Sequence, residues 1–307
     1  MFPKSVDDER PEMKKLLIIM NPYAGTRQAN KFLARIIDIF CSDGFDVSIA
    51  MTQGRGDATK IAKERAKDFE RIIIIGGDGT FNEVVSGVLD SGAAPLLGYI
   101  PAGSTNDFAT SLGLEKSVVK AAVTCTRGTP RKIDIGRFNG RAFSYVASFG
   151  AFTSASYEVP QDLKNAIGHA AYILSGIKEV VNIKPLKLEM ETDDATYDGD
   201  YIFGAVCNST SMAGIINLKP SDVDMNDGLF EVMLIKAPQN IVELNNIIFA
   251  LSTQSYDTCN EISFFSTSGV KIKADAGMPW TLDGEYQEGA GEIRIENVRS
   301  AIDIMVP

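Results

Sequence analysis

The sequence predicts an α/β fold: an N-terminal, doubly wound and mostly parallel sheet, followed by a C-terminal, mainly antiparallel β-sandwich-like domain. Three observations predict it. Short, wholly apolar runs alternate with amphipathic helices over the first part of the chain. Two of those runs end at glycine-rich turns that lead into helices. Beyond Arg131 the pattern changes to short strands separated by turns, with few helices.

KKLLIIMN (14–21) reads as a buried strand. TRQANKFLARIIDIF (26–40) places Phe32, Leu33, Ile36, Ile37 and Phe40 at spacings of three and four, the stripe of an amphipathic helix. Strand DVSIAMT (46–52) precedes helix GDATKIAKERAKDF (56–69), for which Asp57 is the expected cap. RIIIIGG (71–77) is the third strand and FNEVVSGVLD (81–90) a helix. PLLGYIP (95–101) is the fourth strand, and SVVKAAVTCTRG (117–128) closes the series. Strands that are apolar throughout and separated by helices form a parallel sheet covered on both faces. Asn139-Gly140 then joins two β-rich runs, a strong hairpin signal. A helix over 161–182 and another over 238–252 interrupt the strands KLEMET, YIFGAVCNS, LFEVMLI, EISFFS, VKIKA and EIRIEN. The predicted division is 1–136, with 1–13 disordered, and 137–307, with the last ~10 residues packing back on the first domain.

A net charge of −10 argues against nucleic acid as a partner, because binding it requires a basic face. It also argues against broad attraction to an anionic membrane, without excluding a local contact. The four cysteines contain no CxxC, so zinc-ribbon spacing is absent and reduced thiols in a cytosolic protein are expected. The opening residues are too charged for a signal peptide, and the apolar runs are too short to span a bilayer. One histidine, His169 in the predicted 161–182 helix, leaves a carboxylate as the expected general base.

Ligands of open parallel sheets bind outside the carboxyl ends of the strands. Gly76-Gly77-Asp78-Gly79-Thr80 lies at such an end, where glycines admit an anion close to backbone N–H groups and a helix N-terminus favours negative charge. Thr80 and Glu83 have capping-box spacing, so the helix is expected to start at Thr80. A plain strand–helix turn would need one glycine, not three with an acid among them. GxGxxG fails at Asn82, and GxxxxGK[ST] is absent. The next strand end, PAGSTNDFATSLGL (101–114), supplies a second acid, Asp107. Two carboxylates, Asp78 and Asp107, beside a phosphate cradle imply Mg²⁺ between them. Taken alone, Asn106 or Asp107 is equally a plain N-cap. DVDMNDG (222–228) is not an EF-hand, since Asp227 stands at the sixth position and Met233 at the twelfth.

From Lys14 onward the sequence resembles the diacylglycerol kinase catalytic-domain family of soluble lipid kinases. IIIIGGDGTFNEVVSGV resembles its GGDGTxNEV block and IPAGSTNDFATSLGL its PxGTxNDFA block. NPYAGT, TQGRGDA, NDGLFEV and TLDGE match further signatures in order. The resemblance implies that residues 1–136 bind ATP and residues 137–307 take the lipid. It implies that Thr52, Gly76, Gly77, Asp78, Gly79, Thr80, Asn82 and Ser104 line the nucleotide site, with Asp78 and Asp107 acting on phosphate-bound Mg²⁺. Asp134 resembles the family's interdomain aspartate, and Asp283 of LDGE its catalytic base. A structural Mg²⁺ is implied on the Asp227 carboxylate and the backbone carbonyls of Asp224 and Leu229. An ordinary turn is the alternative there. Ala24 departs from the family's usual serine, and Ser104 replaces its threonine while keeping the hydroxyl.

The expected activity is transfer of the ATP γ-phosphate to a lipid hydroxyl, that of diacylglycerol, by a cytoplasmic protein that touches the membrane peripherally. A homodimer is compatible with this. Two other activities stay open: an NAD-kinase-like kinase of a soluble acceptor, which shares GGDGT, and a nucleotide-binding regulator without turnover.

Overall fold

In the computed structural model, which describes residues 13–151, 184–212 and 216–307, the chain divides into two units. The first comprises residues 1–104, 114–131 and 304–307, and the second 105–113 and 132–303. A single cut after residue 136 does not describe this, because the segment 105–113 groups with the β-rich unit. The helix predicted over 161–182, with its His169, lies outside the described residues, as do residues 1–12.

The first unit is built on β1 (Lys14–Met20), β2 (Phe45–Met51), β3 (Arg71–Gly76) and β4 (Leu96–Pro101). β1 pairs in parallel with both β2 and β3, and β3 with β4, giving the order β2-β1-β3-β4. Leu16 to Met20 and Ile72 to Ile75 are fully buried. That is why these runs carry no polar alternation: helices cover both faces. α1 (Gln28–Ser42) and α5 (Val118–Arg127) pack on Leu16, Ile18, Met20, Ile73 and Ile75, with Ile36, Phe40 and Cys125 in the same cluster. Phe32, expected on the buried stripe of α1, is instead exposed. α2 (Asp57–Arg65) and α3 (Asp78–Ser91) pack against each other.

The second unit carries α4 (Asp107–Ser111) and its own sheet. The Asn139-Gly140 turn joins β5 (Thr129–Phe138) to β6 (Arg141–Phe143), with both turn residues at positive φ, as a two-residue hairpin requires. β7 (Val146–Gly150), β8 (Leu186–Glu191) and β9 (Thr196–Cys207) follow, with short β10 (Ser211–Met212) and β11 (Ile216–Asn217). β12 (Phe230–Lys236) pairs antiparallel with β9 and with β13 (Ile262–Thr267). Between them runs α6 (Ile241–Thr253), capped by the Asn240 side chain, which accepts from the Val242 and Glu243 amides. β14 (Gly269–Ala274) pairs with β8 and with β17 (Glu292–Val306). β15 (Trp280–Leu282) and β16 (Glu285–Gln287) form a hairpin that attaches to β7. The core centres on Trp280, which meets Phe138 and Phe149 edge-on at centroid distances of 5.1 and 4.8 Å. From Ile304 onward, β17 belongs to the first unit, where it neighbours β4.

Candidate active site

In the first unit, the chain leaves β1 for β2 on one side and later returns to β3 on the other. Such a reversal opens a crevice at the carboxyl ends of the strands. Hydrogen bonds knit those ends together. The Asn21 amide donates to the Ile75 carbonyl at 2.9 Å, the Thr52 amide to Met20 at 2.9 Å, and the Ala102 amide to Gly76 at 2.7 Å. The Asn21 side chain also donates to the Thr80 hydroxyl at 3.4 Å. Thr52, Gly76 to Thr80, and Ser104 therefore follow the ends of three neighbouring strands, β2, β3 and β4, around the end of β1. Asn82 lies on α3 and is buried.

Two close approaches explain the glycines. Gly25 has φ +48°, and a Cβ there would lie 2.4 Å from the Ala102 carbonyl oxygen, so the 21–26 turn seats directly on the loop after β4. At Gly76 a Cβ would fall 2.5 Å from both Cβ and Oγ1 of Thr80. α3 begins at Asp78, earlier than expected, and Gly77 as its N-cap supplies no side-chain acceptor. The capping box is absent because Glu83 is used elsewhere. Its carboxylate accepts the amides of Gly56 at 2.8 Å and Ala58 at 3.2 Å, capping α2. Asp57 is likewise not a cap. It is the first residue of α2 and turns back to accept from Gln53 and Gly54 at 2.7 and 3.0 Å.

Asp107 opens α4 in the second unit. Its neighbour Phe108 stacks on Tyr145 at 6.4 Å, and the Tyr145 amide donates to Asp283 Oδ1 at 2.9 Å. Asp283 and Gly284 form the two-residue β15–β16 turn, both at positive φ, which explains Asp-Gly in LDGE. The Asp283 carboxylate also accepts from Ser144 at 2.5 Å and Val146 at 3.0 Å, and Asp283 is 6% exposed. Arg141 braces the same hairpin through Glu285 and Gln287 at 3.0 and 2.8 Å.

Asp134 is fully buried. Its carboxylate accepts the Gly228 amide at 2.7 Å and the Ser300 amide at 2.6 Å, and its carbonyl accepts from Asn208 at 2.7 Å. Asp134, which the resemblance makes the interdomain aspartate, thus clamps the 224–229 loop to β17. In that loop the Asp227 carboxylate accepts the Leu229 amide at 2.8 Å, and Asp224 Oδ1 that of Asn226 at 3.1 Å. Both acids are exposed. Among the described residues no three acid, histidine or cysteine side chains converge to hold a metal. Glu231, on β12, was not anticipated as a site residue. Burial pushes its carboxyl up to about 8, with Asp227, Asp224 and Asp222 adding to the shift. The only sequence signal for it is an acid inside the apolar run LFEVMLI. Nothing in the sequence marked Tyr145.

A parallel sheet whose strand ends carry a glycine-rich turn and a helix N-terminus defines a nucleotide-binding α/β unit, here joined to an antiparallel β domain. The diacylglycerol kinase catalytic domain family matches residues 15–138, and the YegS C-terminal NAD kinase beta sandwich-like domain family matches residues 146–306. The Bacillus subtilis diacylglycerol kinase is 37% identical over 89% of this chain and 90% of its own length. That of Staphylococcus carnosus is 32% identical over 96% and 95%. A Bacillus anthracis crystal structure described as a diacylglycerol kinase shares the fold, with a TM-score of 0.75 at 22% identity over 97% of this chain and 98% of that one. A second from the same organism gives 0.80 at 24%, covering 99% of each. The chain belongs to the diacylglycerol kinase family, and with it to the kinases that transfer phosphate to an alcohol.

Proposed function

We propose that this protein transfers the γ-phosphate of ATP to the hydroxyl of diacylglycerol, giving phosphatidic acid, with Mg²⁺ as cofactor. The observation that carries this is the knitted strand ends of β1, β3 and β4, with α3 starting at Asp78 directly behind the Gly77 N-cap, in a chain of this family. The amides of the first turn of α3 supply the donors and the dipole that an anionic phosphate requires. Gly25 lets the 21–26 turn seat on the loop after β4, and Gly76 lets Thr80 pack against the end of β3. Thr52, Asn82 and Ser104 add polar contacts around the nucleotide.

Asp78 in the first unit and Asp107 in the second each offer a carboxylate of the kind Mg²⁺, a hard cation that takes oxygen ligands, would use. When bound, the ion neutralises charge on the transferring phosphoryl group. Asp283 takes the proton of the attacking hydroxyl. Held by three backbone amides, its carboxylate has one fixed direction, so its contribution is positional as much as basic. The 224–229 oxygens, with Asp227 foremost, fit a structural cation, because nearby Glu231 Oε2 and Asn297 Oδ1 are buried acceptors without partners.

Among the described residues no helix is long and apolar enough to cross a membrane. We place the enzyme in the cytoplasm, meeting its lipid at the membrane surface. The test is transfer of labelled γ-phosphate to diacylglycerol in mixed micelles, with NAD and a lipid extract as parallel acceptors. Labelled phosphatidic acid is expected. Label on NAD alone would overturn the lipid assignment, and no transfer to any acceptor would favour a regulator.

A further inference from the structure

We propose that Glu231 is a buried positioning residue for a divalent cation seated on the 224–229 loop, acting through the cation's bound water together with the amide oxygen of Asn297. Glu231 is 2% exposed, and its Oε2 has no hydrogen-bond partner. Asn297 Oδ1 is in the same condition, and it belongs to this loop: the Asn297 Nδ2 donates to the Leu229 carbonyl at 3.1 Å. A buried acceptor left without a donor is costly, and here two stand near one turn.

The charged groups that bear on Glu231 are further acceptors. Asp227, Asp224 and Asp222 are the acids that bear on Glu231. The Leu229 and Asp224 carbonyls border the same turn, each already accepting one hydrogen bond, from Asn297 and from the Asp227 amide. The stem of Arg299 runs beside Gly228, with Cδ 3.2 Å from where a Cβ would stand. A set of oxygen acceptors with surplus negative charge suits a hard cation, and Mg²⁺ in particular keeps several of its waters. Those waters supply donors to acceptors that do not reach the ion, which is how an outer partner orients a site. The Asp134 clamp fixes the loop from the other side by holding the Gly228 amide at 2.7 Å.

This deepens the proposed function by adding a residue to the expected cation site, yet it does not depend on which lipid is phosphorylated. The test uses Mn²⁺ as the probe on the full chain without nucleotide, counted by electron paramagnetic resonance. Wild type is expected to bind Mn²⁺ at one site, Asp227→Ala to lose it, and Glu231→Gln to bind about tenfold or more weakly, the usual scale for an outer partner. Wild-type affinity in Glu231→Gln would overturn the proposal. So would the absence of nucleotide-free binding in wild type, which would leave ordered water alone to serve the two acceptors. Should Glu231→Gln fail to fold, amide exchange of wild type decides. Mg²⁺ is expected to slow exchange at residues 229–231 and 297, and unchanged exchange there would overturn the proposal. Diacylglycerol phosphorylation is assayed separately, so failure of the lipid assignment and failure of the Glu231 role give different results.

Discussion

Asp283 accepts the Ser144 amide at 2.5 Å, so a hairpin turn late in the sequence holds the chain just ahead of β7. With Tyr145 and Val146 also donating, the carboxylate is both a proposed base and a structural hook. Asp283→Asn is therefore expected to lower kcat by about 10²–10⁴-fold. It should also lower stability by about 1–3 kcal/mol, since an amide cannot serve three donors in the same way. Turnover measured well below the new Tm, with folding checked by circular dichroism, separates the two effects. Near-wild-type kcat would remove Asp283 from the proton transfer.

Gly25→Ala places a methyl 2.4 Å from the Ala102 carbonyl oxygen at a left-handed backbone position. The conformational cost alone is about 1–2 kcal/mol, and the contact forces the 21–26 turn off the loop after β4. A lower Tm and weaker ATP binding by calorimetry are expected together. ATP affinity equal to wild type would show that this turn does not shape the phosphate cradle.

Glu83→Ala should destabilise the protein by about 0.5–2 kcal/mol, the scale of a lost helix cap. The damage falls on α2 although the substitution is in α3, because the lost acceptors serve Gly56 and Ala58. Amide exchange at residues 56–58 should quicken while the amides inside α3 keep their protection. Faster exchange confined to α3 would restore the capping-box interpretation.

Thiol chemistry should distinguish one cysteine from three. Cys41 is exposed, whereas Cys125, Cys207 and Cys259 are buried. Burial pushes the Cys125 thiol up to about 12, so almost no thiolate forms there at neutral pH. Ellman's reagent should titrate Cys41 quickly in the native protein and the other three only on unfolding. Rapid native reaction of Cys125 would contradict its packing between β4 and α5.

The Arg127–Asp43 pair gives a pH signature. The Arg127 side chain, 2.7 Å away, holds the Asp43 carboxyl below its ordinary value. A depressed carboxylate contributes stability above its unfolded pKa, and that contribution disappears as pH falls through the folded pKa. Asp43→Asn should thus lower Tm slightly at neutral pH, and the difference should close under strongly acidic conditions. A difference that widens in acid would reverse the sign.

The sequence made some of this legible and hid the rest for physical reasons. β1 and β3 could be read because every residue from Leu16 to Met20 and from Ile72 to Ile75 is buried, so composition alone marks the strand. Asn139-Gly140 could be read because its turn is decided locally. The roles of Glu83 and Asp57 are not legible in the sequence because an acceptor's partner is chosen by packing: Glu83 reaches back to Gly56 at the start of α2, and Asp57 to Gln53 and Gly54. The short motif around Asp134 likewise says nothing of the Gly228 and Ser300 amides it holds, because they come from residues 94 and 166 positions away. The β15–β16 hairpin escaped notice because its strands are three residues each, too short for a period to register.

The last turn of the chain's path has a consequence for biosynthesis. Beyond β3, the neighbour of β4 is β17, whose residues from Ile304 onward belong to the first unit, and a Cβ at Gly128 would lie 2.3 Å from the Val306 carbonyl oxygen. During translation the nucleotide unit emerges first with that side of its sheet bare. The ribosome must deliver the whole β-rich unit before the strand that covers it. Until then, the outer edge of β4 is an unpaired template, open to mispairing with any other nascent strand.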